Sequence, residues 1–387
     1  MQAPQVSFSN TEIAFKRFSN SDLRKAEWLF RTFNYPWLVR NGPTMASLAV
    51  SLGFKAVVKN TIFNHFCGGE HISACEATID QLYRYGVGTI LDYSVEGEEQ
   101  ESVFEATCLE IIHTIERAAG NDKIPFSVFK TTGIARFALL EKIQSGAALS
   151  TAEQAEWEAV RTRFARICRT AQERKVRIFV DAEESWIQEP IDSLAMEMMH
   201  LFNQEQAIVY NTIQLYRHDR LMYLTRTIQD TQCFMGFKLV RGAYMERERA
   251  RAAELGYLDP IQPDKAAADR DYDAAIQVCI EHISRVSLCA GTHNEQSCIR
   301  LMKLMELHDV KPQDERVYFS QLLGMSDHIS FNLSHAGYRV AKYVPYGPVK
   351  AVLPYLGRRA QENSAMAGQM GRELAMIRSE RHRRTNG

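Results

Sequence analysis

Val176-Arg177-Ile178-Phe179-Val180-Asp181 opens the stretch whose reading decides the fold. It is a short β-branched and apolar run that ends on a carboxylate. A helical stretch over Ser193–Phe202 follows, and then a second run, Ile208-Val209-Tyr210-Asn211-Thr212-Ile213-Gln214-Leu215. Strand, helix and strand at this spacing call for a crossover, so the two strands run parallel. The alternation continues in both directions. Strand candidates are Gly88–Tyr93, Phe126–Lys130, Val176–Asp181, Ile208–Leu215, Phe237–Arg241, Ser287–Gly291, Val317–Gln321 and Tyr338–Val344. Helical stretches between them are Ser102–Ala119, Thr151–Glu173, Ser193–Phe202, Tyr216–Thr231, Asp269–Ser284, Glu295–His308 and Asp327–Ala336. Eight strand–helix units over about 270 residues suit an α/β fold of the (β/α)8 TIM-like barrel type, which needs ~250. A doubly wound sheet is the runner-up, but no Gly-x-Gly-x-x-Gly follows any strand.

Three segments are expected. Residues 1–85 read as a helical arm, with Ser21-Asp22 as an N-cap, Leu23, Ala26, Trp28, Leu29 and Phe33 as a helical apolar pattern, and breaks at Gly42-Pro43 and Gly68-Gly69. Residues 86–365 read as the barrel. Residues 366–387 read as a basic tail carrying Arg378, Arg381, Arg383 and Arg384. Such a tail is usually solvated; attraction to an anionic surface is the sharper reading.

Composition narrows the function. Of 387 residues, 24% are charged and 45% hydrophobic, which is ordinary for a globular chain. A net charge of −1 argues against bulk binding to nucleic acid. Eight cysteines stand without a Cys-x-x-Cys pair or a Cys/His cluster, so reduced thiols in an intracellular compartment are expected, with no disulfide framework and no metal site. Cys289 and Cys298 read as packing residues. No apolar run reaches the roughly 18 residues of a membrane span, and the first 20 residues show no signal-peptide core and no evident transit peptide.

In a barrel of this type the chemistry sits at the C-terminal strand ends. Here those ends finish in Asp92-Tyr93, Lys130-Thr131-Thr132-Gly133, Asp181-Ala182-Glu183-Glu184, Gln214, Lys238 through Tyr244, Thr292-His293-Asn294, Gln321 and Tyr343. One strand-end lysine is usually a structural ion pair. A set comprising Lys130, Asp181, Gln214, Lys238, Arg241, His293 and Gln321 is harder to explain by structure, because desolvating so many polar groups costs several kcal/mol unless a ligand or network pairs them. The set is rich in cations and donors and suits a large anionic cofactor. Gly242 would let backbone approach it closely.

A second motif lies further on, in Pro354-Tyr355-Leu356-Gly357-Arg358-Arg359-Ala360-Gln361-Glu362-Asn363. On a helix Tyr355, Arg358, Arg359 and Glu362 share one face. Two adjacent guanidiniums make a fork for a small carboxylate. Tyr355 can cover an apolar ligand body, and Glu362 can hold one arginine. The plainer reading is a solvated face with one salt bridge. The rigid turn Val344-Pro345-Tyr346-Gly347-Pro348 just before it favours the site.

Taken in order, these runs resemble the proline dehydrogenase family of flavin enzymes. The matching pieces are Leu91-Asp92-Tyr93-Ser94-Val95-Glu96, Asp181-Ala182-Glu183, Lys238-Leu239-Val240-Arg241-Gly242-Ala243-Tyr244, Thr292-His293-Asn294, Gln321-Leu322-Leu323-Gly324-Met325, Lys342-Tyr343-Val344-Pro345-Tyr346-Gly347 and Tyr355 through Asn363. They resemble the single-function, mitochondrial-type members more than the long bifunctional bacterial ones, and no aldehyde dehydrogenase module is seen. The resemblance implies a (β/α)8 barrel with its last helix over the mouth and FAD bound non-covalently. It implies active-site roles for Asp181 and Lys238. Arg358 and Arg359 would take the L-proline carboxylate, with Lys130 as a further anchor. Tyr343 and Tyr355 would wall the ring, and Glu362 would orient the arginines. Ala182, Gln214, Arg241, Gly242, Ala243, Thr292 and His293 match flavin-contacting positions. Asp269 and Gln321 match polar positions nearby. Arg241 stands where some members carry lysine.

The implied reaction is hydride transfer from proline C5 to flavin N5, giving 1-pyrroline-5-carboxylate, with electrons passed to a membrane quinone. That implies peripheral membrane association, at the bacterial inner membrane from the cytoplasm or at the mitochondrial inner membrane. Hydroxyproline-preferring members carry serine where Tyr343 stands, so L-proline is the expected substrate and hydroxyproline oxidation the alternative. Two readings from other classes are a Schiff-base aldolase using Lys130 or Lys238, and a barrel that has lost its chemistry.

Overall fold

The computed structural model describes residues 6–32, 55–94, 99–365 and 367–386; for Lys55, Val57, Asn60, 358–365 and 367–370 the backbone alone is described. The Gly42-Pro43 break and the Val95-Glu96 end of one matched run lie outside the described residues. Eight strands close into a barrel in sequence order: β1 (Val87–Tyr93), β2 (Phe126–Lys130), β3 (Arg177–Asp181), β4 (Val209–Gln214), β5 (Met235–Val240), β6 (Val286–Gly291), β7 (Val317–Leu322) and β8 (Val340–Tyr346). Every pair with a defined register is parallel, from Lys130 beside Asp181 to Val87 beside Val340. The expected (β/α)8 barrel is thus observed, with strand limits within two residues of those read from sequence.

Among the described residues, the helices of eight residues or more are α1 (Asn20–Thr32), α2 (Glu76–Tyr83), α3 (Glu101–Ala118), α4 (Phe137–Gln144), α5 (Thr151–Arg174), α6 (Gln188–Phe202), α7 (Arg220–Asp230), α8 (Met245–Leu255), α9 (Lys265–Glu281), α10 (Glu295–Leu307), α11 (Asp327–His335), α12 (Val349–Ala365) and α13 (Ala367–Asn386). α4 and α8 stand outside the alternation read from sequence. α7 starts four residues later than its pattern suggests. The Tyr216 N–H donates to the Arg241 carbonyl at 2.8 Å, so Tyr216 continues the strand ladder instead of opening a helix. The N-cap at the arm also moves, from Ser21-Asp22 to Ser19: the Ser19 hydroxyl accepts the Asp22 N–H at 3.2 Å, and the Asp22 carboxylate accepts the Ser19 N–H at 3.1 Å.

The chain forms two compact units, residues 97–320 and residues 1–96 with 321–387. In the first, aromatic rings fill the strand interior. Phe126 stacks on Phe179 at 4.4 Å, Tyr210 meets both edge-on, and Tyr318 stands edge-on to Phe126. Arg177 lies 5.6 Å from the rings of both Phe126 and Tyr318. Gly236 is required here, since a Cβ on it would sit 2.4 Å from the Tyr210 ring.

In the second unit, one apolar cluster joins Leu23, Phe30 and Phe66 from the arm to Val352, Tyr355, Leu374 and Ile377. Residues 367–386 therefore form a packed helix, where the sequence suggested a solvated basic tail. Their arginines are engaged: Arg384 donates to the Phe15 and Phe18 carbonyls at 2.9 and 2.8 Å, and Arg378 pairs with Glu27 at 3.0 Å.

Two glycines should respond oppositely to alanine. Gly236→Ala overpacks the aromatic layer and costs about 1–3 kcal/mol. Gly371 is exposed on α13 with nothing near its missing Cβ, so Gly371→Ala should stabilise by about 0.5–1 kcal/mol. Urea unfolding midpoints of the two variants check both signs.

Candidate active site

The unit of residues 97–320 supplies a set of linked side chains at its strand ends. Lys238 is buried on β5, and its ammonium pairs with the Asp181 carboxylate at the end of β3. It also lies 5.3 Å from the Phe179 ring, just above the aromatic layer. An ammonium in so dry a position is costly to bury without a carboxylate partner. Its register neighbour Cys289 is fully buried, and burial pushes that thiol up to about 11 despite the Ser320 hydroxyl and the nearby Lys238 charge. Cys289 is thus an inert packing residue, as expected, and burial raises Cys298 likewise.

A second cluster surrounds Arg241. Its Nε donates to Asp269 at 2.5 Å, and its two terminal nitrogens donate to the Thr292 and Ser297 hydroxyls at 2.8 and 3.0 Å. The guanidinium lies 4.4 Å from the Tyr272 ring. Lys265 adds a further bond to Asp269 at 2.5 Å. Burial raises the Asp269 carboxyl, but Lys265 and Arg241 outweigh it and hold it below the ordinary range. Asn294 caps α10, accepting from the Gln296 N–H at 2.9 Å and donating its own N–H to Thr292 at 3.0 Å. The structure therefore joins Arg241, Thr292 and Asp269, and adds Ser297 and Lys265, which the sequence did not single out.

A third group links β2, β3 and β4. Gln214 is buried and donates to the Glu183 carbonyl at 2.7 Å. The Glu183 carboxylate accepts the Thr132 N–H at 2.9 Å and the Thr132 hydroxyl. Burial pushes Glu183 up to about 7, against the Thr132 bonds and the Lys130 charge. Lys130 and His293 are half-buried, and Ala182 is buried at the start of the same β3 loop. Gly242 has φ +140, and a Cβ on it would lie 2.3 Å from the Tyr216 ring. The close approach that demands glycine there is made by Tyr216. Ala243 beside it is half-buried.

This donor set fits a large anionic cofactor. A guanidinium carries five N–H donors, so the three bonds fixing Arg241 leave it able to bind more. Thr212 Oγ1, on the same side of β4 as Gln214, and Thr131 Oγ1 are buried with no hydrogen-bond partner among the described residues. A ligand rich in acceptors would satisfy such hydroxyls. Among the described residues, no group of three His, Cys, Asp or Glu is placed to hold a metal ion.

The unit of residues 1–96 and 321–387 holds the remaining candidates. Gln321 is buried at the end of β7 and accepts the Ser330 hydroxyl at 2.8 Å. The loop after it is tightly anchored. Lys342, fully buried on β8, donates to the Met325 and Leu322 carbonyls at 2.7 and 3.2 Å and pairs with Asp327 at 2.8 Å. Arg17 reaches the same Asp327 at 2.9 Å. His65 bonds the Gly324 carbonyl at 3.0 Å, and burial lowers its pKa to about 4, so it is neutral. Tyr343, next to Lys342, is 7% exposed, and its carbonyl accepts the Leu323 N–H at 2.9 Å. Tyr355 sits in the apolar cluster of this unit. The backbone of α12 is helical through Arg358, Arg359 and Glu362, as expected, and their side chains lie outside the described residues.

The family model for proline dehydrogenase matches residues 75–372. Carbapenem antibiotics biosynthesis protein CarD of Pectobacterium carotovorum subsp. carotovorum is 34% identical over 326 residues, covering 83% of this chain and 84% of its own length. Human mitochondrial proline dehydrogenase 1 is 44% identical over 218 residues, 54% of this chain and 36% of its own. A hydroxyproline dehydrogenase of Xenopus laevis is 30% identical over 425 residues, 98% of this chain and 90% of its own. Proline utilization A of Bdellovibrio bacteriovorus superposes with a TM-score of 0.72 at 18% identity, over 92% of this chain and 38% of that one. That last likeness is one of fold. The chain spans most of the Pectobacterium and Xenopus proteins but little more than a third of the human protein and of the bacterial structure.

Breaking the Lys238–Asp181 pair from one side should cost more than removing both partners. Lys238→Met alone takes the ammonium partner away from the Asp181 carboxylate and should destabilise by about 3 kcal/mol. The double variant Lys238→Met, Asp181→Leu should recover more than about 1 kcal/mol of the summed single losses. Urea unfolding of the four members of this cycle measures the coupling.

Proposed function

The chain belongs to the proline dehydrogenase family, and from that premise we propose that it oxidises L-proline to 1-pyrroline-5-carboxylate using non-covalently bound FAD. It is an oxidoreductase of that family. The single observation that carries the finer reading is the buried Lys238–Asp181 pair at the ends of β5 and β3. Few structural needs justify a dry ammonium there, whereas a redox site uses a fixed charge well.

Bound flavin would supply the acceptor for the hydride leaving proline C5. The chain's own residues bind and orient. Arg358 and Arg359 grip the proline carboxylate through two guanidinium forks, with Glu362 orienting them and Lys130 as a further cation. Tyr343 and Tyr355 wall the pyrrolidine ring and keep water out. Lys238, steadied by Asp181, holds positive charge where negative charge accumulates. Gln214, Arg241, Thr292 and His293, with the Ala182, Gly242 and Ala243 backbone, hold the cofactor, and Asp269 and Gln321 fix the groups around them. The substrate amine must shed its proton before hydride can leave, so the rate rises with pH.

Electrons would pass to a membrane quinone. No helix among the described residues is long and apolar enough to cross a membrane, so contact would be peripheral. The matching membrane is the mitochondrial inner membrane in a eukaryote, in keeping with the mitochondrial relatives, or the cytoplasmic face of the inner membrane in a bacterium.

The absorption spectrum tests this directly. The purified protein should show a flavin band near about 450 nm that bleaches on anaerobic addition of L-proline, faster at about pH 9 than at about pH 6. A protein that stays colourless and inert after FAD is added would overturn the reading.

The Xenopus relative favours one alternative, oxidation of hydroxyproline. Tyr343 argues against it, because a bulky ring there crowds a 4-hydroxyl and leaves it unpaired. L-proline should exceed trans-4-hydroxy-L-proline in kcat/KM by roughly tenfold or more. Tyr343→Ser should narrow that ratio, and equal values in the unmodified protein would decide for the alternative.

A further inference from the structure

Glu183 is 3% exposed and carries no role in the proposed reaction, yet every polar group it has is used. Its carboxylate accepts the Thr132 N–H at 2.9 Å and the Thr132 hydroxyl. Its own N–H donates to Gln188 Oε1 at 2.7 Å, and its carbonyl accepts Gln214 Nε2 at 2.7 Å. Gln188 passes the chain on to Asp192 at 2.9 Å, where Asn211 and Arg220 also converge, each at 2.8 Å. Thr132 lies in the turn Thr131–Gly133 that begins directly after Lys130. Asp181 lies two residues before Glu183, and Gln214 ends β4.

We propose that Glu183 is a positioning residue of the proline-oxidising site, its side chain clamping the turn after β2 to the loop after β3 so that Lys130 and Asp181 keep their places. The proposal rests on the proline dehydrogenase reading. Three considerations support it. Burying a carboxylate costs several kcal/mol, and an apolar side chain would fill the space without that penalty. Its side-chain bonds go to the turn that directly follows Lys130, a candidate site residue. Each carboxylate oxygen accepts a bond from Thr132, which turns the group toward that turn and suits a holding role better than proton abstraction. Burial pushes its carboxyl up to about 7; the groups acting on it are the Thr132 bonds and the Lys130 charge from β2, and Glu184 from its own loop.

The test uses the FAD-loaded full chain with rates expressed per bound flavin. Glu183→Ala should raise KM for L-proline about tenfold, the size expected from freeing a buried clamp, and lower the fraction of protein carrying flavin. Its kcat per bound flavin should stay within about threefold, since no reacting atom is touched. Glu183→Gln should recover most of the loss, because its amide oxygen can accept the Thr132 N–H while its NH2 donates to the Thr132 hydroxyl. Thr132→Val removes one bond from the other side and should raise KM about threefold. Should Glu183→Ala fail to fold, Thr132→Val and Glu183→Gln decide. Variants that lose thermal stability but keep KM and flavin content would overturn the proposal, leaving Glu183 a structural group. A wild-type protein whose flavin is not reduced by L-proline would instead remove the dehydrogenase reading, so the two failures are separable.

Discussion

A parallel strand in a closed barrel has no solvated face, and that constraint governs what this chain can place where. All six residues of β4 and all seven of β8 are buried. Polar side chains can therefore survive only where a partner meets them. The rings of Phe126, Phe179, Tyr210 and Tyr318 occupy the interior, with Gly236 giving Tyr210 its room. Above that layer the first charged group on β5 is Lys238, and β3 delivers Asp181 to pair with it. The packing of the dry layer and the charge arrangement over it are consequences of one geometry.

Much of this was legible in the sequence. Parallel strands read as continuous apolar runs because both faces are buried, so Ile178-Phe179-Val180 and Val209-Tyr210 announce themselves. α4 and α8 were harder. α4 is only eight residues long, and α8 is dominated by charge in Met245-Glu246-Arg247-Glu248-Arg249, with Glu248 and Ala252 its buried positions. Tyr216 looked helical by pattern, but a ladder bond to Arg241 and the space beside Gly242 draw it onto β4. Site residues were legible as types at strand ends. Their partners were not, since Ser297 meeting Arg241, or Thr132 meeting Glu183, depends on how helices and turns dock.

In the unit formed by residues 1–96 and 321–387, charge does similar work by other means. The basic residues of α13 look like a solvated tail in sequence because their partners, Glu27 and the Phe15 and Phe18 carbonyls, lie some 350 residues away. Asp327 gathers Arg17 and Lys342, and those two cations hold its carboxyl far below the ordinary range even though burial opposes them. Lys342 then ties down the loop between Gln321 and Asp327 through two carbonyls. Tyr343 is its immediate neighbour on β8, so the rigidity of that loop and the placement of the tyrosine share one anchor.

Buried charges of this kind are poor sources of stability, because desolvation takes back much of what pairing provides. The stability of the fold must then come from its apolar layers and clusters, and the charged groups need another explanation. Fixed dipoles and charges that do not reorganise during reaction are what lower a barrier in a dry site. Arg241, held by an acid, two hydroxyls and a ring, has its plane set before any ligand arrives. Lys238 and Glu183 are held as firmly, Lys238 by Asp181 on β3, across β4, and Glu183 by Thr132 in the turn after the neighbouring β2. A surface built only to fold would have avoided all three. Their concentration at the C-terminal strand ends of one unit supports the proposal that those ends serve binding and orientation, with the aromatic interior beneath keeping them in place.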